Sequence, residues 1–460
     1  MIEKFKNGVS IRLIVIAVLT LMLLIPLGFI KSLVKERQNL QRQSVADITS
    51  KWSSDQLIKA LILTIPYKKT EYKYTSVKDS SGNITQNKEL VEVMSYAHFL
   101  PNTLNIKVDL NTSIRYRSIY EASVYESIID IDGDFLYEDI LSLGIDENDF
   151  FFDKAFVSLG VKDSRGIKER AYLNFDNKIY SLNSGVKSSN ISSIYENSFS
   201  TNIKLAKNKN YKFDLKLHLN GSSSMYFLPY GKVTNVILES SWNNPSFNGD
   251  FLPNSRVINE DGFKANYKVI DINRDYPQSI TNDQIRLWQF NKNNQYRGYD
   301  SKPYISSSFG VDFKLAVDHY TKADRSIKYA ILFVVLTFLI FFLTEILNKR
   351  RIHPFQYILS GLSLILFFVL LISFSEHIGF NNAYIIAALA TIFALGSYVR
   401  SVLGSKKLTM YFIGVLAFMY VFIFILLQLQ SYSLLIGSVM LFIVLSVVMY
   451  ISRKIDWYKE

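Results

Sequence analysis

Three ionisable residues lie at the ends of long apolar stretches in the C-terminal third of the chain: Glu345, Glu376 and His377. A charged group at bilayer depth is costly, so such residues mark functional sites by default. All three lie near the end of a stretch, where a side chain can reach water. The pattern therefore favours anchoring of helix ends, with contact to an ion, a lipid headgroup or a partner protein as the second interpretation. His353 joins them as a candidate membrane-interface residue.

Aromatic residues are concentrated together with Pro, Asn and Gly in the segment 240–253. Loops carry many binding sites, and aromatic rings supply large contact areas. Trp242, Pro245, Phe247 and Phe251 therefore form a candidate interaction surface. The same residues can instead pin a turn onto the core, and the sequence favours this second interpretation.

Aspartates alternate at Asp130, Asp132 and Asp134 and resemble a calcium-binding loop, because oxygen ligands on alternate residues suit a hard cation. The spacing fits only in part. With Gly133 at the sixth loop position, the first ligand position falls on Ile128, whose side chain cannot bind a cation. The sequence therefore predicts a hairpin turn at these residues, with a weak cation site as the alternative.

The chain contains no cysteine, which excludes disulfides, thiolate catalysis and cysteine-based metal sites. None of the five histidines stands four residues from another, and no HExxH, GxSxG or glycine-rich phosphate loop occurs. SxxK occurs at Ser32 and Ser184 without the companion motifs of penicillin-binding enzymes. The sequence therefore predicts a protein without catalytic residues, metal or cofactor.

Six long apolar stretches must position these residues. The first, Ile11 to Ile30, has about 20 residues, enough to cross a hydrocarbon core about 30 Å thick. No small-residue cleavage pattern follows it, which favours an uncleaved anchor over a signal peptide. The other five stretches are Ile327–Leu347, Phe355–Phe374, Asn382–Val399, Leu408–Leu427 and Ser433–Ile451. The sequence thus predicts six transmembrane helices, one as an N-terminal anchor and five as a C-terminal bundle.

Lysine and arginine are distributed unevenly between the loops of the bundle. Basic segments at 348–351, 400–407 and 453–454 alternate with turns that contain neither residue. Because basic loops stay in the cytoplasm, this alternation predicts cytoplasmic termini and a large external domain between anchor and bundle. The same placement accounts for much of the formal charge of +11, which argues against nucleic acid as a partner.

The polar region between anchor and bundle shows the alternation of strands. Apolar and polar residues alternate in runs separated by Ser, Asn and Gly, which predicts antiparallel sheets in a sandwich or in two related lobes. The predicted strands are 60–66, 105–110, 113–120, 211–219, 235–240, 263–273 and 311–320. Helices are predicted at 32–57 and 146–159. The predicted domains are an anchor at 1–30, a mainly β periplasmic domain at 31–326 and the bundle at 327–460.

Short phrases in the second half of the chain resemble the CreD family of bacterial inner-membrane proteins. These phrases include Pro245–Pro253, Gly262–Ala265, Arg274–Gln278, Ile352–Tyr357 and Ser373–Phe380. They occur in order and are together more specific than any single motif above. The resemblance implies a cell-envelope integrity protein of Gram-negative bacteria, under the control of a two-component system, with links to colicin tolerance and the β-lactam response. It supplies no catalytic residues.

The expectation is a membrane α+β protein of the inner membrane, without enzymatic activity, that supports envelope integrity and the response to envelope stress and β-lactams. Its expected partners are the lipid bilayer and an unidentified envelope component or membrane protein engaged by the periplasmic domain. The alternative is a transporter or lipid-handling protein that uses Glu345, Glu376 and His377. The sequence leaves the ligand, the oligomeric state and the number of β lobes open.

Overall fold

The structure is a computed structural model that describes residues 9–78, 84–185, 197–284, 307–315, 319–347, 352–429 and 433–453. The chain divides into two compact units. The membrane unit comprises residues 1–43 and 317–460, and the β unit comprises residues 44–316. The domain limits predicted at residues 30 and 326 are the points where the chain leaves or enters the bilayer. The division into compact units does not locate the bilayer, so these limits stay predictions.

Apolar helices build the membrane unit. In chain order the described helices are α1 (Val9–Trp52), α2 (Tyr137–Leu141), α3 (His319–Lys328), α4 (Ala330–Leu347), α5 (Pro354–Ile378), α6 (Phe380–Leu403), α7 (Lys406–Gln428) and α8 (Ser433–Ser452). Five described helical segments are long and apolar enough to cross a membrane: α1, α3 together with α4, α5, α6 and α7. Helix α8 adds a shorter apolar segment, Leu435–Tyr450. The predicted combination of apolar helices with a β domain is confirmed. The predicted basic segment 348–351 lies outside the described residues.

Helix α1 is continuous over 44 residues and contains Pro26. At 1.5 Å per residue it is roughly 66 Å long, about twice the thickness of a hydrocarbon core. Residues 9–43 belong to the membrane unit and residues 44–52 to the β unit. The predicted helix at 32–57 is therefore a continuation of the anchor, but it ends at Trp52, shortly before the first strand begins at Gln56.

The β unit contains seventeen described strands. They are β1 (Gln56–Lys78), β2 (Ile84–Phe99), β3 (Thr103–Arg117), β4 (Tyr120–Phe135), β5 (Phe156–Val161), β6 (Tyr172–Phe175), β7 (Lys178–Ser181), β8 (Asn183–Ser184), β9 (Asn197–Asn202), β10 (Tyr211–Ser222), β11 (Ser224–Phe227), β12 (Val233–Ser240), β13 (Pro245–Gly249), β14 (Ser255–Asn259), β15 (Gly262–Ile270), β16 (Ser279–Thr281) and β17 (Phe309–Phe313).

Two sheets organise these strands. The first has the order β13-β17-β11-β1-β5-β9-β8, with β2 paired to β1 and β16 paired to β2. The second has the order β14-β15-β12-β3-β4-β10-β6-β7. Most pairs are antiparallel, as predicted, but β1 with β11 and β3 with β12 are parallel. Buried residues of both sheets belong to one hydrophobic cluster, so the β unit has a single core.

Two local predictions fail where local patterns compete with pairing. The segment 146–159, predicted as a helix, forms two short 3-10 turns, Glu147–Asp149 and Phe152–Lys154, followed by the start of β5. The predicted strand 311–320 ends at Phe313, and helix α3 begins at His319. The segment 146–159 has the propensity of a helix, yet its last residues pair with neighbouring strands as part of β5. The alternation of a strand continues from 311 to 320, yet pairing with neighbouring strands ends at Phe313.

Asp130, Asp132 and Asp134 lie on β4, which runs through them without a turn, so the predicted hairpin turn is wrong. Ile129 is buried while Asp130 and Asp132 are exposed, as expected for a strand with one face on the core. Asp134 accepts a hydrogen bond from the backbone N–H of Thr103 at 3.1 Å. The alternation that resembled a calcium loop is the two-residue period of this strand.

His98 is a buried histidine on β2 that the sequence did not distinguish. Its Nε2 atom lies 2.9 Å from Asn282 Oδ1, and its Nδ1 atom lies 3.0 Å from Thr64 Oγ1. This arrangement suits a neutral ring that donates from Nε2 and accepts at Nδ1. Burial lowers the pKa of His98 to about 4, and the hydrogen bond to Asn282 opposes that shift.

We predict that acid destabilises the β unit through His98. The unfolded chain takes up a proton near pH 6.5 and the folded protein near pH 4, so the free energy of unfolding falls by about 3 kcal/mol between these values. His98→Gln should flatten this slope in thermal melts of the full chain in detergent between pH 7.5 and 4. His218→Gln, at a partly exposed histidine, serves as the control. An unchanged slope in His98→Gln would contradict the prediction.

Candidate functional site

Glu345 lies in the last turn of α4 and is buried, with 5% of its surface exposed. Its Oε1 atom accepts a hydrogen bond from Arg12 Nη1 on α1 at 3.0 Å. Its Oε2 atom accepts one from the Tyr357 hydroxyl on α5 at 3.2 Å. The ring of Tyr357 packs edge-on against Phe338 and Phe341 of α4. We call Arg12, Glu345 and Tyr357 the first cluster, in which one carboxylate joins three helices.

Glu376, in the last turn of α5, forms a second cluster with the same residue types. Its Oε1 atom accepts a hydrogen bond from the Tyr320 hydroxyl on α3 at 2.9 Å and lies 3.8 Å from Arg37 Nε on α1. The side chain of Glu376 is 11% exposed, and Tyr320 is buried. We call Arg37, Glu376 and Tyr320 the second cluster. It again joins α1 to two other helices of the membrane unit.

The two clusters are separated along α1 by more than the thickness of a hydrocarbon core. The helix from Arg12 to Arg37 is roughly 38 Å long at 1.5 Å per residue, against about 30 Å of hydrocarbon. The clusters therefore fit the two membrane interfaces, where an ionised group costs less than at the midplane. Each glutamate sits at the C-terminal end of its helix, where the helix dipole disfavours negative charge. The arginine also offsets this unfavourable interaction.

A partly buried ion pair contributes little net free energy, but the loss of one partner is costly because the other charge stays buried. The clusters therefore specify where α1 packs, more than they add to overall stability. Sequence reasoning selected Glu345 and Glu376 because they were rare charges in apolar stretches. It missed Arg12 and Arg37, which lie more than three hundred positions from their glutamates, and it missed the tyrosines, since nothing in the sequence shows which side chains meet in space.

His353 and His377 have different surroundings. His353 is exposed and caps α5: its Nδ1 atom accepts a hydrogen bond from the Phe355 N–H at 3.2 Å, and Gln356 Oε1 accepts one from the His353 N–H. This is a capping box, with Pro354 in the first turn. His377 is exposed at the end of α5. The structure thus brings neither histidine into a cluster with Glu345 or Glu376.

The last turn of α1 is held in the β unit by a polar network. Arg165 Nη1 donates to the Ser50 carbonyl at 2.8 Å, a contact that caps the C-terminal end of the helix. Arg165 Nη2 also donates to Asp163 at 2.7 Å, and this guanidinium holds the pKa of the Asp163 carboxyl well below its usual value. Gln56 is buried and donates to the carbonyls of Asp163 and Asn220, each at 2.9 Å.

The aromatic segment rests on the core of the β unit. Trp242 meets the ring of Phe313 edge-on at 6.3 Å between centroids, and Phe251 meets Phe309 in the same way at 6.0 Å. Phe247 is buried. These contacts are the ones expected if the rings pin a turn.

Part of the segment remains accessible. Pro245 opens β13, which among the described strands pairs only with β17 and thus lies at the edge of the described sheet. Trp242 and Pro245 are partly exposed, and Leu252 is 67% exposed. Trp242, Pro245, Phe247 and Phe251 therefore stay a predicted interaction surface, in which Phe247 contributes least to the accessible area.

Within the described part of the chain, no group of three or more His, Asp or Glu side chains is placed to hold a metal ion. The clusters of the membrane unit each contain one carboxylate, one guanidinium and one phenol. Such a set can hold helices together and can exchange partners.

We predict that Arg12 and Glu345 are energetically coupled. Arg12→Leu leaves the Glu345 carboxylate buried without its cation and should lower stability in detergent by about 1–3 kcal/mol, less than for a fully buried pair because Arg12 keeps contact with solvent. The double variant Arg12→Leu with Glu345→Leu should recover part of this loss. Arg42→Leu, an exposed arginine on the same helix, is the control. Strictly additive losses would show that the pair is not coupled.

Two comparisons with known proteins identify the same family. The family model described as "Inner membrane protein CreD" matches residues 8–458. The protein of that name from Escherichia coli (strain K12) is 29% identical over 444 residues, which cover 95% of this chain and 91% of the relative. The match to a crystal structure of a Legionella pneumophila protein, described as a "putative nutrient binding protein", covers 40% of this chain and 68% of that one, with 10% identity and a TM-score of 0.21. The chain belongs to the CreD family of inner membrane proteins.

Proposed function

We propose that this protein supports the integrity of the cell envelope, including the response to envelope stress and β-lactams, without catalysing a reaction. In this proposal the β unit lies in the periplasm and engages an envelope component or a partner protein. The membrane unit holds it at the inner membrane. The alternation of basic loops with turns that contain neither Lys nor Arg supports this orientation.

The observation that carries the proposal is the fixation of α1 in both units. In the membrane unit the clusters at Arg12 and Arg37 hold the helix against its neighbours. In the β unit Arg165 caps its last turn. A continuous helix fixed by side chains at each end is suited to hold a large domain on a membrane anchor, which is a structural task.

A transporter or lipid-handling role for Glu345, Glu376 and His377 has weaker support. Both carboxylates already have an arginine and a tyrosine as partners, and they belong to clusters roughly 38 Å apart along α1. His377 is exposed outside both clusters. Neither carboxylate is thus placed to pass a substrate to the other.

We predict that the exposed residues of the aromatic segment 240–253 bind the partner. A photoreactive residue at Asn243, which is exposed, should give a discrete protein or glycan adduct in intact cells. The same residue at Ile179, which is 76% exposed on β7, is the control for unspecific capture. Trp242→Ala should reduce the adduct from Asn243. No adduct, or equal adducts from both positions, would contradict the partner-binding role of this segment.

The two functions differ in what the triple variant Glu345→Gln, Glu376→Gln and His377→Gln does. In cells lacking the gene, we expect the triple variant to restore resistance to detergent and β-lactams in proportion to the amount of the variant in the membrane. Immunoblots of membrane fractions give that level. Loss of resistance at an unchanged protein level would instead favour transport through these residues.

A further inference from the structure

A cleft of about 420 Å³ opens on the face of the second sheet that points away from the core. Strand register places two rows of residues along it: Asp109, Ile128 and His218 in one row, and Asn111, Glu126 and Asn220 in the next. Lys168 and Glu169, which follow the 3-10 turn Ser164–Gly166, form a further wall. The Lys168 N–H donates to the His218 carbonyl at 3.1 Å and holds this wall against β10. The volume lies within the range of small-molecule sites, about 300–1,000 Å³.

Asn220 is a buried polar residue of the cleft. It is 5% exposed, and its backbone carbonyl accepts a hydrogen bond from Gln56. Its carboxamide lines the cleft and bonds to none of the side chains or backbone groups that the structure describes. The amide atoms keep access to the cleft, so a ligand there can supply hydrogen bonds to them.

Negative charge is concentrated in the cleft although the chain as a whole is basic, with a formal charge of +11. Asp109, Glu126 and Glu169 supply three carboxylates, and Lys168 supplies one ammonium group. Lys168 Nζ lies 5.4 Å from the centre of the Trp52 ring. Glu169 lies 3.5 Å from His218 Nδ1. The side chains of Asp109 and Glu126 make no hydrogen bond or ion pair within the described ranges.

We propose that this cleft binds a small organic cation with two ammonium groups, such as a short diamine. Asp109 and Glu126 are diagonal neighbours on paired strands, about 7–8 Å apart, so each can take one ammonium group of the same molecule. The Asn220 carboxamide oxygen accepts a further N–H from the end held by Glu126. Charge-assisted hydrogen bonds of this kind are the stronger ones. The carbon chain of the ligand would follow this diagonal, between Ile128 and Asn111.

The inference rests on the cleft alone. It holds whether or not the aromatic segment binds an envelope component, because the two sites use different strands. A bound dication would also neutralise the carboxylates beside the wall at Lys168, the residue that lies over Trp52 at the end of α1. A ligand in the cleft can therefore affect the contacts of the last turn of that helix.

The test is calorimetric titration of the full chain in detergent at low ionic strength with 1,4-diaminobutane. The neutral analogue 1,4-butanediol tests the role of charge. We expect saturable binding of the diamine, no binding of the diol, and at least tenfold weaker diamine binding in Glu126→Gln and in Asn220→Ala. Asp130→Asn, an exposed aspartate on the same strand outside the cleft, should leave affinity within about twofold of the parent protein.

Glu126 is exposed, so Glu126→Gln should fold, and a thermal melt that matches the parent protein verifies this. Absence of diamine binding to the parent protein would overturn the proposal. Equal binding of the diol, or unchanged affinity in a folded Glu126→Gln variant, would overturn it as well. In the last case the carboxylate of the cleft would not be the group that recognises the cation.

Discussion

The packing of this protein depends on how two glutamates at apolar helix ends are compensated. A carboxylate buried among apolar helices is destabilising unless a cation and hydrogen-bond donors reach it. Glu345 and Glu376 obtain both from outside their own helices, an arginine from α1 and a tyrosine from a second neighbour. Since both arginines belong to one continuous helix, satisfying both carboxylates fixes how far α1 is inserted among its neighbours.

This constraint gives α1 two tasks. Within the membrane unit, α1 is a helix whose position along its neighbours is fixed. At its C-terminal end, α1 is the first element of the β unit. There Arg165 and Asp163 hold the last turn, and Gln56 ties the start of β1 to Asn220 on β10. The two sheets of the β unit share a single hydrophobic core.

Much of this architecture could be predicted from periodicity. The apolar stretches gave the helices, and alternation gave strands such as β3 and β10, whose inward residues form the core. The prediction at Asp130 to Asp134 was wrong because the same alternation suits a cation-binding loop and a strand. Only the pairing of these residues with a neighbouring strand distinguishes the two. The glutamates stood out by composition, yet Arg12 and Arg37 did not. Basic residues near an anchor are expected for topology alone, so their role as partners required the fold.

The most direct test of this account uses the absence of cysteine from the chain. Leu23 on α1 packs against Gly361 on α5, where an added Cβ atom would overlap the Leu23 side chain. In membranes, Leu23→Cys with Gly361→Cys should form a disulfide quickly under mild oxidation. The same pair should react much more slowly once Arg12→Leu and Arg37→Leu are added. An equal rate in both backgrounds would show that the arginine–glutamate clusters do not hold α1 in place.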